Sequence, residues 1–174
     1  MEDLRVIKTK AAIENAFLQL RKDKRLEDIK VNELCRIALI NKTTFYHYYS
    51  DIFHLSEYLE QKYLEECFQL VEGYDSLISN TEKFIKSILH AFSSHEKIQI
   101  IFKGRMNQLV TNAQEYILKQ YKQRMKTEKE RMCVLFLIQG AFFILFYYPH
   151  KNEKAKVAFV IDTANTMIQK YFSH

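Results

Sequence analysis

Apolar residues fall three and four positions apart through most of the chain, the spacing that gathers them on one face of a helix. Ile13, Ala16, Phe17 and Leu20 form such a stripe and predict a helix over about 5–21. Val31, Leu34, Cys35 and Ala38 repeat the spacing on a short helix. A break of a few residues at 40–41 precedes another short helix, about 41–49. Asn41 suits its start, because an Asn side-chain oxygen satisfies free amides of the first turn. Phe45 and Tyr49, four apart, share its inner face. Asp51 is placed to cap a long helix over 52–72, with Leu55, Leu59, Tyr63, Cys67 and Leu70 inward. After a loop or kink at 73–80, the segments 81–93, 96–102, 106–126, 128–148 and 153–172 read as five further helices, rich in Phe and Tyr.

These nine helices predict an all-α fold. Only 3 Gly and 1 Pro occur, fewer than sheets with tight turns need. The expected organisation is a three-helix head at 1–50 and a larger helical body at 51–174. Residues 51–73 serve as the connecting helix.

Composition sharpens this picture unevenly. A hydrophobic content of 48% supports a buried core. The net charge of +5 favours an anionic partner, and its placement says more than its size. Residues 5–50 hold ten Lys/Arg against five Asp/Glu, a surplus equal to that of the whole chain. Cys35, Cys67 and Cys133 form no CxxC pair and sit among apolar neighbours, so each reads as a small buried hydrophobe. The start, Met1-Glu2-Asp3-Leu4-Arg5, lacks the apolar stretch of a secretion signal, and a cytoplasmic location is expected. No nucleophile–base set or phosphate-cradling Gly loop is recognisable, and His90 and His95, five apart, do not share a helical face. No enzyme activity, cofactor or metal is expected.

Two short helices joined by a tight turn, with a third packed behind, make a helix-turn-helix. Its second short helix must bury one narrow stripe and leave the opposite face free of bulky apolar groups. The run Asn41-Lys42-Thr43-Thr44-Phe45-Tyr46-His47-Tyr48-Tyr49 meets that requirement. Phe45 and Tyr49 point in, Ile40 anchors the turn, and Lys42, Thr43, Tyr46 and His47 lie on the other side.

The run TTFYHYYSD, preceded by Asn41-Lys42 and followed by a helix carrying Leu55, resembles the signature of tetracycline-repressor (TetR/AcrR) regulators. Val31-Asn32-Glu33-Leu34-Cys35 is similar to that family's preceding helix. The resemblance covers about 5–59. It implies a cytosolic repressor that occludes double-stranded operator DNA as a homodimer and is released by a small-molecule effector. Lys42 and Tyr46 would then contact phosphate, Thr43 and His47 base edges, and Thr44 the helix N-terminus or a phosphate. Asn41 and Tyr48 complete the set, Tyr48 divided between packing and a backbone contact. The chain departs from the family pattern at Leu39, where the turn usually carries Gly. It departs again at Lys30, which replaces a capping Thr and would itself reach phosphate, and at Ile52, which replaces a Lys. A Gly at the turn suits positive φ, so either Leu39 is strained or this turn avoids that conformation.

Two further expectations concern the body. The last two helices are the dimer candidates, with Gly140 and Ala141 allowing close approach and Leu137, Ile144, Val160, Ala164 and Met167 around them. Phe84, Ile88, Phe92, Phe102, Met106 and Tyr116 form an aromatic-rich middle that would line an effector pocket. Two rival classes compete with a repressor. One is a helical protein-interaction module without DNA binding. The other is a membrane-anchored protein using the 17 uncharged residues 132–148.

Overall fold

The computed structural model describes residues 3–71, 75–149 and 151–172. Among these residues all regular structure is helical, and the fold is all-α. The helices are α1 (Leu4–Asp23), α2 (Val31–Ala38), α3 (Lys42–Tyr48), α4 (Ile52–Gln69), α5 (Asp75–Ser79), α6 (Thr81–Ser94), α7 (Glu96–Ile101), α8 (Met106–Tyr121), α9 (Glu128–Phe142) and α10 (Glu153–Phe172). A 3-10 turn, Leu26–Asp28, follows α1, and a π-helical turn, Phe143–Tyr147, continues α9.

Among the described residues there are ten α-helices where about nine are expected, and the additional one is α5. It is a single turn, too short to show a period, held by burial of Leu77 and by the Thr81 hydroxyl donating to Leu77 O. The expected break at Gly73 and the end of the 52–72 helix at Glu72 lie outside the described residues. Leu70 does not belong to the inner stripe of α4. The helix ends at Gln69, the Leu70 N–H turns back to Cys67 O, and its side chain is 61% exposed. Helix α8 stops at Tyr121, whose carbonyl accepts from the Arg124 and Met125 amides, and Met125 is buried by that turn. No helix among the described residues is long and apolar enough to cross a membrane. The uncharged run at 132–148 is a short α-helix whose end widens into the π turn.

Contacts divide the chain into two units, Met1–Glu66 with Ser93–Met106, and Cys67–Phe92 with Asn107–His174. The division falls inside α4, and it adds α7 to the unit that contains the head. In the first unit Ile13, Phe17, Leu34, Phe45, Leu55 and Leu59 are buried together with Ile98, Ile101 and Phe102. Each such side chain contributes about 1.5–3 kcal/mol. The stripes expected on α1, α2 and α3 are the faces that are covered, with Val31 and Ile40 partly so.

Polar bonds tie α7 and the turn after it to α1 and α4. Arg21 is buried, and its guanidinium donates to Lys24 O, Ile101 O and Lys103 O. Arg105 pairs with the buried Glu60, which also accepts from the Ser56 hydroxyl at 2.7 Å. Glu14 on α1 accepts from Lys62, from the Tyr63 hydroxyl at 2.6 Å and from Lys97 at 3.0 Å. Burial alone would push the Glu14 carboxyl up. The three donors outweigh it and hold the group below its ordinary value.

In the second unit Phe68 stacks on Tyr116 with ring centroids 4.4 Å apart and meets Phe92 edge-on at 5.8 Å. Phe84, Leu109, Val110, Ile117, Cys133, Val134, Val160, Ile161, Ala164 and Ile168 are buried there. Helix α9 begins with a capping box, in which Thr127 Oγ1 accepts from the Glu130 amide and the Glu130 carboxylate accepts from the Thr127 amide. Helix α10 packs against α9, the π turn and α5. All three cysteines are buried.

Two outcomes follow. Leu39 closes α2 at φ 54° and ψ 43°, so the turn does take the left-handed conformation. Its side chain is 91% exposed, leaving packing to offset little of a strain of ~1–2 kcal/mol. Leu39→Gly should therefore raise urea-unfolding stability by about 1 kcal/mol, and lowered stability would show that the exposed side chain contributes. Glu14 titrates lower in the folded than in the unfolded chain, so its contribution is complete above the unfolded value and lost as pH falls through the folded one. Glu14→Gln should cost about 1–3 kcal/mol at pH 7. In a pH series of unfolding curves, the gap from the parent chain should close on acidification.

Candidate nucleic-acid interface

Helix α3 owes its position to both its ends and to its inner face. The Asn41 side-chain oxygen accepts from the Thr44 amide at 2.7 Å and from the Thr44 hydroxyl at 2.8 Å. Just before it, the Leu39 and Ile40 amides both donate to Cys35 O, which closes α2 and sets the angle of the turn. Phe45 is fully buried, and Tyr49 ends the helix with its ring packed near Phe45, His54 and Tyr58. At the exit, the Ser50 amide donates to His54 Nδ1 at 3.1 Å while the His54 amide donates to Asp51 Oδ1 at 2.7 Å. That reciprocal pair starts α4 and stops α3.

The opposite face is open. Lys42, Thr43, Tyr46 and His47 are all exposed, at i, i+1, i+4 and i+5 on one side of the helix. Tyr46 is 54% exposed with its ring edge against Phe45, so packing aims the phenol outward. The first turn carries a cation at Lys42 and no acidic residue, and the positive end of the helix dipole adds to it. A phosphate is the ligand such an end accepts.

The remaining expected residues are placed as follows. Asn41 is exposed yet committed to the cap. Thr44 is half-buried and donates its hydroxyl to Asn41, so it strengthens the cap. Tyr48 is half-buried, edge-on to His47 at 4.9 Å, with Lys10 Nζ 5.9 Å from its ring centroid. Lys30 starts α2 without a side-chain cap and is exposed beside it. Ile52 is buried, so that position serves the core.

Two residues of this surface escaped the sequence reading. Lys10 comes from the middle of α1, where the packing of α1 on α2 brings it to the end of α3. Lys10 stands three residues before Ile13, at the edge of the buried stripe of α1, and the periodicity does not say what it faces. His54 is the acceptor at the helix exit, a role with no pattern of its own beyond its place three residues after Asp51.

The six residues expected to line a pocket are divided. Phe102, fully buried, and Met106 belong to the first unit, whereas Phe84, Ile88, Phe92 and Tyr116 belong to the second. There Phe92 and Tyr116 close on Phe68 as core. The expected dimer set is also divided. Val160 and Ala164 are covered within their own unit, while Leu137, Gly140, Ala141, Ile144 and Met167 are partly exposed. A β-carbon added at Gly140 would meet nothing within 4 Å. The exposed side of α9 and its π turn instead carries Met132, Phe136, Phe143 and Tyr147, with the exposed Gln139 between them.

Because Asn41 satisfies an amide and a hydroxyl at once, Asn41→Ala should destabilise the head by about 1 kcal/mol in thermal or urea unfolding. An unchanged midpoint would mean that the cap is replaced by solvent at no cost. No protein-family model matches the chain, and no curated protein sequence is significantly similar to it.

Proposed function

We propose that the chain is a DNA-binding transcriptional regulator, a repressor that covers its operator as a homodimer in the cytoplasm and is released by a small molecule. The observation that carries this reading is the exposed polar face of α3. Four groups able to meet phosphate or base edges stand on one side of a capped helix, and its other side is anchored by Phe45. Lys42, Tyr46 and Lys10 take phosphate, which sets the register of the head. Thr43 and His47 face base edges, where a hydroxyl or an imidazole nitrogen discriminates.

The homodimer rests on Met132, Phe136, Phe143 and Tyr147, whose exposure suits burial against a second copy, with Gly140 leaving room. Pairing two heads ~34 Å apart matches half-sites on one side of a duplex. No catalytic role is assigned to any residue.

The test is binding to duplex DNA, selected from a random pool, across a salt series. Affinity should fall steeply with salt, with a log–log slope of about −0.9 per phosphate contact. Absence of binding even at low salt would defeat the reading. Within that assay Tyr46→Phe should weaken all sequences alike, by roughly fivefold for one lost hydrogen bond. His47→Ala should instead change the preferred bases, by about 1–3 kcal/mol at the position read. If both variants bound like the parent, α3 would not be the reading element.

A further inference from the structure

Outside the head, a cavity of about 420 Å³ is lined by Ile144, Tyr148, Ala155, Lys156 and Phe159, between the π turn and the start of α10. That volume lies in the range of small-molecule sites. Its lining combines apolar and aromatic surface with one charged residue, and that residue is unusual. Lys156 is only 7% exposed. An ammonium withdrawn from water needs acceptors for its three protons. Two are backbone carbonyls, Leu145 O at 2.9 Å and Tyr148 O at 3.5 Å, and the third is the Glu153 carboxylate at 2.9 Å.

The three acceptors are not equivalent. Leu145 O belongs to the π turn, a rare arrangement that recurs at functional sites, and Tyr148 O directly follows it; the two hold Lys156 in place. Glu153 is 72% exposed and can return to water at little cost once another anion reaches the ammonium. An exchangeable carboxylate on a fixed, buried cation beside an aromatic cavity selects for charge as well as for apolar surface.

We propose that this cavity binds a small organic acid with an aromatic body, whose acid group replaces Glu153 on Lys156 while the body lies against Ile144, Tyr148, Ala155 and Phe159. This assigns a chemical class to the effector, and only its consequence for DNA release rests on the proposed function. None of Phe84, Ile88, Phe92 and Tyr116 is among its lining residues.

The experiment uses the full chain and two fluorescent probes of one shape, 8-anilinonaphthalene-1-sulfonate and the uncharged N-phenyl-1-naphthylamine. The anionic probe should bind more tightly. Glu153→Gln, a surface change that removes the competing charge, should tighten the anionic probe by about three- to tenfold and leave the neutral one alone. Lys156→Met should abolish the preference for the anion, with folding checked by circular dichroism. Phe159→Ala should weaken both probes. Equal affinity for the two probes, or no response to Glu153→Gln, would overturn the proposal. So would probe binding that vanishes as protein concentration rises, because a second copy would then be the occupant. A repeat with operator DNA present separates the two readings. Probe binding without DNA release leaves the site standing and removes its link to regulation.

Discussion

A helix of seven residues has no stability of its own in water, since nucleation costs more than so few hydrogen bonds return. Helix α3 therefore exists only because Phe45 is sunk into the core formed by α1, α2 and α4. Everything proposed for its outer face depends on that anchor. With Phe45 fixed, the register of the helix follows, and Lys42, Thr43, Tyr46 and His47 have no direction left but outward. The Asn41 cap and the Ser50–His54–Asp51 exchange then limit the helix to the length the anchor can hold.

Much of this was legible in the chain. The spacing of Ile13, Phe17 and Leu20, and of Leu34, Cys35 and Ala38, marks the faces that are buried, because a short amphipathic helix has one way to cover its stripe. The cap at Asn41 is local chemistry and is equally readable. Less legible was the place of α7. Ile98 and Ile101 announce that one face is buried, but a six-residue pattern cannot say which core receives it. The bonds that settle the matter join distant positions, such as Glu14 with Lys97, 83 residues on.

The burial of a charged residue is no more legible. Near the C-terminal end of a helix, an arginine suits the dipole and reads as surface. Arg21 is buried there because its donors reach two carbonyls far along the chain, Ile101 O at the end of α7 and Lys103 O in the turn after it. In the run 132–148 the fault is opposite. Uniform apolarity hides which side is covered, so Phe136 and Phe143 face out while Cys133 and Val134 face in. The π turn is silent too, since apolar residues flank every position of it. Leu39 was different: the sequence left two conformations open, and the carbonyl of Cys35, taking two amides at once, selects the left-handed one.

The membership of residues 93–106 in the first unit bears on how this chain can be cut and recombined. A head that ended with α3, or even within α4, would leave the sites of Ile98, Ile101 and Phe102 vacant and strip Arg21 of two of its three carbonyl acceptors. The two units are thus interleaved along the polypeptide. A chimaera that borrows the first unit must take two separate pieces of chain, and a single crossover anywhere before residue 93 would inherit a head without its floor.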